Sequence, residues 1–382
     1  MEDSLSIASK LIQGTHAGSR DLKKPLKIQF HGEVGVDAGG VTKEFFQLLS
    51  EQLFTTKNTY GLWIDAQHHN SSAGLWFNPS SLEKDDSGLM YTLVGLLMGL
   101  AVYNGVVLDV HFPRILYKQL LTTAKGKEEG NTQGTHPITL SDFSELKPEM
   151  VRGWMEMLAW DSSEDSAVES QRGCLMEDVF GLVFEGTYYE IDGSTPITVE
   201  LIEGGSDIEV TEKNRDKYVH LYMTWYAELL VKKMFQSFSL GFWTVVSGYT
   251  LTLFSPSELE LLVEGEPTLD FDALEKEATV YEGFTAEHIC VRRFWDVVKE
   301  LNDKEKRLFL RFVTGASRPP MGGLSKLIPK LKIQRNGCEP TELLPTAATC
   351  FNTLLLPEYG TREKMKRKLL VAIENASGFG LE

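Results

Sequence analysis

The sequence predicts an α+β protein with more than one lobe, in which a large, mostly helical part precedes a compact α/β part at the C-terminus. The chain has 382 residues, and single cores rarely grow beyond about 250 to 300 residues. Segments of helical and of alternating periodicity occur along the whole chain. The charge also changes sign, because residues 281–382 carry 17 Lys and Arg against 12 Asp and Glu while the whole chain has a net charge of −16.

The N-terminal part begins with a predicted strand, turn and helix. Residues 26–31 (LKIQFH) alternate like a strand, 32–40 are glycine-rich, and the apolar positions of 41–53 recur with helical spacing. Two more helices are predicted within 89–123, and the first of them is apolar on nearly all sides, which indicates a central position. Glycine, threonine and charged residues mark 125–140 as a surface loop.

A small acidic α+β subdomain is predicted for 147–224. It begins with an amphipathic helix, and 181–210 reads as short apolar segments separated by turn residues, which predicts strands. Thirteen acids and a single basic residue, Arg172, lie in 161–210. These acids are consistent with a solvated face, or with a docking surface that attracts a basic partner protein. A long aromatic-rich helix is predicted to follow over 212–246.

The C-terminal part is predicted to be a separate α/β lobe that follows a glycine-containing break at 278–288. A serine-capped helix is expected before the break, and a tight Asn-Asp turn is expected between the first two helices after it. The predicted elements are helices at 255–265, 292–301, 303–315 and 361–376, and strands at 330–334 and 350–359.

The amino-acid composition argues against several classes of protein, site and partner. No segment is apolar for the roughly 18 residues that a membrane span needs, and the acidic N-terminus lacks the features of a signal peptide. The cysteines form no CxxC pair or Cys/His cluster, so we expect no disulfide framework, metal or cofactor, and a reducing location in the cytoplasm or nucleus. The net negative charge argues against nucleic acid as a partner. The cysteines are Cys174, Cys290, Cys338 and Cys350.

Cys350 is the candidate reactive residue. A free cysteine is often only a small buried hydrophobe. Here, however, Pro345 and the small residues 346–349 place the thiol where an exposed loop enters a strand, and functional groups are often presented from such loops. The other cysteines lie in polar turns or at a helix start, which are less suitable settings.

Histidine placement limits the chemistry that Cys350 can perform. A Cys-His hydrolase needs an imidazole within hydrogen-bond reach of the thiol, and no histidine follows His288. A thiol without such a base remains suited to thioester exchange, because the incoming acyl group is already activated and the leaving group is a thiolate. The sequence therefore favours an acyl-carrying cysteine over a hydrolytic one.

Residues 344–382 (LPTAATCFNTLLLPEYGTREKMKRKLLVAIENASGFGLE) resemble the end of a HECT-type ubiquitin ligase. Four further motifs match the family in order along the chain, so that the resemblance covers about 25–382. These motifs are FHGEVGVDAGGVTKEFF, LWFNP, GLAVYNGVVLDVHFPRILYKQLL and RLFLRFVTGASRPPMGGL.

The resemblance implies a bilobal, HECT-like ligase. An N-lobe over 1–280 would dock a ubiquitin-conjugating enzyme, and a catalytic C-lobe over 284–382 would receive ubiquitin as a thioester on Cys350 and pass it to a lysine of a protein substrate. Rotation at a hinge over 281–283 would carry the thiol between donor and acceptor. The residues implied for the transfer step are Cys350, Thr349 and the tail aromatic Phe379, and those implied for the hinge are Tyr281, Glu282 and Gly283.

The resemblance also implies a docking groove on the small subdomain. Tyr218 and Tyr222 are four residues apart on one predicted helix, so their rings are expected to adjoin. Such a stripe on a helix is more often part of a core than of an interface, and both alternatives stay open here. The residues implied for docking are Leu158, Leu182, Phe184, Tyr218 and Tyr222.

One position departs from the family. Members usually have histidine two residues before the cysteine, whereas this chain has Ala348. The transfer step could therefore be slow, or an acid of the N-lobe could assist it. The alternatives to an active ligase are a weakened or non-catalytic adaptor that only docks a conjugating enzyme, and a thiol hydrolase, which the histidine distribution disfavours.

Overall fold

The computed structural model confirms an α+β protein. It describes residues 22–24, 26–28, 40–56, 61–66, 74–83, 87–125, 137–163, 165–190, 194–246, 251, 253–338 and 341–375. Phe379, most of the glycine-rich turn at 32–40 and residues 126–136 of the predicted loop lie outside the described residues. No helix among the described residues is long and apolar enough to cross a membrane.

The α-helices include each helix that the sequence predicts within the described residues. They are α1 (Gly40–Leu53), α2 (Ser87–Asn104), α3 (Arg114–Lys125), α4 (Leu140–Phe143), α5 (Pro148–Leu158), α6 (Met176–Phe180), α7 (Arg215–Thr224), α8 (Lys232–Val245), α9 (Pro256–Glu264), α10 (Phe271–Glu277), α11 (Ile289–Glu300), α12 (Asp303–Thr314) and α13 (Arg362–Asn375).

The strands form two hairpins and one four-stranded sheet among the described residues. They are β1 (Trp63–Asp65), β2 (Leu75–Phe77), β3 (Glu185–Tyr189), β4 (Pro196–Glu200), β5 (Thr279–Glu282), β6 (Leu331–Arg335), β7 (Thr346–Ala348) and β8 (Thr353–Leu356). The hairpins are β1–β2 and β3–β4, both antiparallel. The sheet has the order β5-β6-β8-β7, with β5, β6 and β8 parallel and β7 antiparallel to β8.

The chain divides into two compact units. Unit 1 takes the described residues of Met1–Gln52, Leu100–Asp109 and Glu258–Glu382, and unit 2 those of Leu53–Gly99 and Val110–Ser257. The predicted lobes were divided differently, at 281–283, and that segment lies inside unit 1. The lobe boundary therefore stays a prediction.

Unit 1 is built around the four-stranded sheet. Helices α11 and α12 bury apolar faces against it, with Trp295 and Phe309 almost fully inaccessible to solvent. The tight turn between these helices is confirmed: Asn302 accepts a hydrogen bond from the Glu305 amide, and the Glu305 carboxylate accepts one from the Asn302 amide. This reciprocal capping ends one helix and starts the next within a few residues.

Several local predictions need correction. The predicted strand 350–359 begins only at Thr353, because Asn352 has a left-handed backbone (φ 47°). The predicted helix 212–246 is divided by a π-helical turn at Trp225–Leu229. A π turn holds more residues than an α turn and so shifts the helix face, which an average periodicity does not predict. Residues 208–210 form only an isolated bridge, and 26–28 belong to no strand.

In unit 2, helices α2 and α8 touch backbone to backbone through glycines. A Cβ atom added at Gly241 would overlap the carbonyl oxygen of Thr92, and one added at Gly95 would overlap that of Phe238. The large rings around them can then pack closely, as Phe77 does against Phe238 with centroids 5.7 Å apart. Small residues at this crossing are therefore required by packing, although they weaken each helix taken alone.

We predict that Gly241→Ala destabilises the protein by roughly 1 to 3 kcal/mol, since the added methyl group overpacks the crossing. Gly153→Ala is the matched control, because Gly153 also lies within a helix but has no atom within 4 Å of its added Cβ. The control should gain up to about 1 kcal/mol from helix propensity. Urea unfolding of both variants measures the difference, and equal stabilities would contradict the packing argument.

Candidate functional site

Cys350 lies at the tip of the β7–β8 hairpin. The strands pair up to Ala348 and Thr353, and a 3₁₀ turn over Thr349–Phe351 connects them. The thiol is half-buried, and the next side chain, Phe351, is 54% exposed. The sequence predicted a thiol where an exposed loop enters a strand, whereas the structure has it in a turn between two strands, because residues 346–348 of that loop form β7.

Asn352 holds this turn in place and was not singled out from the sequence. Asparagine is one of the few residues other than glycine that adopt a left-handed backbone readily. Its backbone amide donates to Thr349 O (3.3 Å), and its backbone carbonyl accepts from Lys332 N (2.9 Å). Its fully buried side chain donates to Pro329 O (2.6 Å) and accepts from Lys43 Nζ (3.1 Å). The turn that carries Cys350 is therefore tied to two other segments of unit 1.

Thr349 is half-buried and contributes its carbonyl oxygen to the turn. Its side chain lies beside Gly315, which ends α12 with a left-handed backbone (φ 81°); a Cβ added there would be 3.8 Å from Thr349 Cβ. Thr349 thus directly precedes Cys350 in the turn, and its part in transfer stays a prediction.

The other cysteines are less suited to nucleophilic chemistry. Cys290 is fully buried in the core of unit 1, and burial raises the pKa of its thiol, which disfavours the reactive thiolate. Cys174 is half-buried and Cys338 is exposed, with Arg335 Nη2 3.1 Å from the Cys338 sulfur. Cys338 thus provides an exposed thiol in the same unit against which the behaviour of Cys350 can be compared.

The last histidine of the chain is engaged elsewhere in unit 1. His288 Nδ1 accepts from the Cys290 amide at the start of α11 (3.3 Å), and its Nε2 lies 3.7 Å from a Glu358 carboxylate oxygen. Among the described residues no group of three or more His, Cys, Asp and Glu side chains could hold a metal ion.

The loop that follows α12, residues 315–323, is anchored by ionic and backbone contacts. Arg318 Nη1 donates to Glu264 Oε2 at 3.0 Å, and the Glu264 side chain is fully buried. Glu266 binds the same loop through Gly322 N (3.2 Å) and Pro319 O (2.9 Å). Because the loop starts beside Thr349, these contacts also support the surroundings of the Cys350 turn.

We predict that Arg318→Ala lowers the free energy of unfolding by about 3 kcal/mol, because it leaves the buried Glu264 carboxylate without this cation. Arg152→Ala is the control: its ion pair with Glu149 lies on the surface, with both side chains about two-thirds exposed. Surface pairs contribute about 0 to 1 kcal/mol. Chemical unfolding of both variants compares the two, and a loss no larger than that of the control would refute the importance of the buried pair.

The predicted hinge residues lie at the edge of the sheet of unit 1. Tyr281 and Glu282 end β5, where they pair with Ile333 and Gln334 of β6. Gly283 follows with a left-handed backbone (φ 74°), a conformation that glycine adopts without steric cost. Their role as a hinge stays a prediction.

Three of the five residues implied for docking are buried within unit 2. Phe184, Tyr218 and Tyr222 are 4% exposed or less. Tyr218 and Tyr222 adjoin as expected, with centroids 6.0 Å apart, and Tyr222 also packs on Trp154. Burial raises the pKa of Tyr222 to about 12. In this structure the rings face inward, so a direct docking contact of these three side chains stays an untested prediction.

Leu158 and Leu182 are half-buried, and more exposed apolar side chains lie near the end of α5. Trp160 packs on Phe180 with centroids 5.6 Å apart, and its Nε1 donates to Cys174 O at 3.1 Å. These contacts hold 174–180 against the end of α5.

The exposed side chains on these neighbouring elements are Met155 (62%), Leu175 (51%) and Val179 (50%), here called the apolar patch. Its members lie beside or within the acidic segment 161–210. These three residues were not predicted from the sequence, although helical periodicity places Met155 about 100° around the helix from Trp154, outside the buried face.

Comparison with known proteins identifies the family. A family model described as HECT-domain (ubiquitin-transferase) matches residues 47–382. The chain is 38% identical over 95% of its length to the probable E3 ubiquitin-protein ligase HECTD2 of Mus musculus and 38% identical over 94% to the probable E3 ubiquitin-protein ligase HERC4 of Homo sapiens. A fungal relative, the probable E3 ubiquitin-protein ligase HUL4 of Eremothecium gossypii, is 33% identical over 94% of the chain.

This chain therefore belongs to the HECT-domain family, as its motifs predicted. It spans 44%, 31% and 40% of the length of these three relatives, respectively.

Proposed function

We propose that this chain is the catalytic region of a ubiquitin-protein ligase, which accepts ubiquitin from a conjugating enzyme as a thioester on Cys350 and transfers it to a substrate lysine. The observation that carries the proposal is the position of Cys350: a half-buried thiol at a hairpin tip, in a chain that belongs to the HECT-domain family. A thiol at a hairpin tip is accessible to a second protein while its backbone remains held by the sheet.

The chemistry needs little more than access and orientation. In the first step the Cys350 thiolate attacks the carbonyl carbon of the incoming thioester, and the conjugating enzyme leaves as its own thiolate. In the second step the amine of an acceptor lysine attacks the new thioester, and Cys350 leaves as thiolate. Neither step needs a metal or a cofactor, because the acyl group arrives activated.

A second candidate function is a HECT-like adaptor that docks a conjugating enzyme without efficient transfer. Ala348 favours it, because this side chain offers no acid or base two residues before Cys350. An adaptor would need the docking surface but not the thiol.

We predict that incubation with activating enzyme, conjugating enzyme and ubiquitin gives an adduct that reducing agents release, and that Cys350→Ala abolishes it. Cys338→Ala is the matched control, since it removes an exposed thiol from the same unit and should leave the adduct unchanged. Non-reducing gels read both variants. Docking without an adduct would favour the adaptor, and cleavage of ubiquitin conjugates would favour a thiol hydrolase.

We propose further that the apolar patch contributes to docking of the conjugating enzyme. The patch combines large exposed side chains with flanking acids, and aromatic or aliphatic anchors within a polar rim are typical of binding energy concentrated in a few residues. The acids would speed encounter with a basic partner surface.

For docking, we predict that Val179→Asp weakens binding of the conjugating enzyme used in the gel assay by about 10-fold, which corresponds to about 1.4 kcal/mol. Leu240→Asp is the control, because Leu240 is also exposed (62%) but lies on α8, outside 147–224. Isothermal titration calorimetry measures both affinities. Equal affinities for the two variants would remove the patch from the docking surface.

A further inference from the structure

Lys43 extends a half-buried cation from the first turn of α1 to the Cys350 turn. Its Nζ donates to Asn352 Oδ1 at 3.1 Å, and Asn352 is itself fully buried. Burial lowers the pKa of Lys43, and the negative charge of a Cys350 thiolate raises it in return. The ammonium is thus hydrogen-bonded to the residue that ends the Cys350 turn, two positions after the sulfur-bearing residue.

Two other cations of unit 1, one on α12 and one on β6, are each paired with a carboxylate. Arg311 of α12 pairs with the Glu51 carboxylate, and Lys332 of β6 pairs with Glu282 at 3.1 Å. Within the part of the chain that the structure describes, Lys43 donates to this neutral amide oxygen, which carries no negative charge to neutralise the ammonium. Removing a cation from water against a neutral acceptor is costly, and such groups frequently occur where a reaction generates the opposite charge.

We propose that Lys43 is a positioning residue of the thiol site, held by Asn352 so that its ammonium stabilises the negative charge that forms on Cys350 Sγ when the thioester breaks. The inference rests on the proposed function, and it assigns a role in the transfer step to a residue outside the C-terminal segment 284–382. Asn352 connects the two groups: its left-handed backbone ends the turn that carries the sulfur, and its side-chain oxygen receives the lysine.

The charge arises in a defined step. The acceptor amine forms a bond from its nitrogen to the thioester carbonyl carbon, the carbon–sulfur bond breaks, and its electron pair stays on Cys350 Sγ. The amine proton passes to water. A fixed cation near the sulfur lowers the barrier to this departure. In loading, by contrast, Cys350 loses its charge, and a lower thiolate fraction without Lys43 is partly offset by higher nucleophilicity. Discharge should therefore depend on Lys43 more than loading does.

The test is single-turnover discharge to free lysine. The chain is loaded with ubiquitin, the conjugating enzyme is inactivated, lysine is added, and the loss of adduct is followed on non-reducing gels. We expect Lys43→Met to slow discharge by about 10-fold, less than the roughly 100-fold or more that loss of an oxyanion-hole donor costs, because this cation is only half-buried. Lys43→Arg keeps the cation and should remain within about 3-fold of the unchanged chain, since guanidinium also donates to an amide oxygen.

Two further variants separate charge from folding. Lys330→Met removes an exposed cation next to Pro329 and should discharge at the unchanged rate. Asn352→Gly permits the left-handed backbone but removes the acceptor for Lys43, so it should slow discharge in the same direction as Lys43→Met. Thermal unfolding midpoints check that each variant is folded. Discharge by Lys43→Met at the unchanged rate, or a Lys43→Arg variant as slow as Lys43→Met, would overturn the proposal.

A second readout does not depend on ligase activity. Alkylation of Cys350 by iodoacetamide at one neutral pH, followed by mass spectrometry of its peptide, reports how well the thiolate is stabilised. Lys43→Met should slow this alkylation several-fold, and Lys43→Arg should not. If no adduct with ubiquitin forms but alkylation behaves in this way, the ligase proposal fails while the Lys43 contact is upheld. If an adduct forms and neither discharge nor alkylation responds to Lys43→Met, the ligase proposal stands and this inference fails.

Discussion

The candidate site depends on one constraint, the left-handed backbone of the buried Asn352. A strand cannot continue through a residue with positive φ, so the hairpin must turn at this point, and the turn exposes part of Cys350. The same residue then joins the ladder of the sheet through its carbonyl oxygen. Its side chain donates a hydrogen bond to the carbonyl oxygen of Pro329. Asparagine meets these demands together, because glycine has no side chain and most other residues resist the backbone conformation.

In unit 1, buried and exposed charged side chains have different kinds of partner. The Glu264 carboxylate is fully buried and binds Arg318 of the loop after α12, whereas the exposed Arg335 lies between Cys338 and Glu358. Buried charges require partners with good geometry, and exposed ones contribute little to stability. The loop is proline- and glycine-rich and belongs to no helix or strand. Side-chain and backbone contacts from Glu264 of α9 and from Glu266 just after it anchor the loop.

In the predicted small subdomain, the spacing of two tyrosines predicts that they contact each other but not what surrounds them. Tyr218 and Tyr222 adjoin on α7 as their spacing requires, yet their rings pack on Trp154 and Phe184 instead of facing solvent. Spacing along a helix states which residues share a face, and it does not state what that face contacts. In this structure, the exposed side chains of α5 and α6 are therefore more accessible to a partner protein than the buried aromatic rings are. The acids of 161–210 are compatible with either arrangement.

The sequence by itself determined the α+β class, the helices of strong periodicity, the Asn-Asp cap before α12 and the family, because these follow from local patterns and ordered motifs. It also identified Cys350 as the thiol presented by a loop. Only the tertiary structure revealed the role of Asn352, the contact of Lys43 with it, and the glycine crossing of α2 and α8. Lys43 and Asn352 are 309 residues apart, and no local pattern records which distant segment supplies a hydrogen-bond partner. The π turn was undetected for the same reason, and the burial of the Tyr218 and Tyr222 rings, which the sequence left open, is likewise decided by packing between elements.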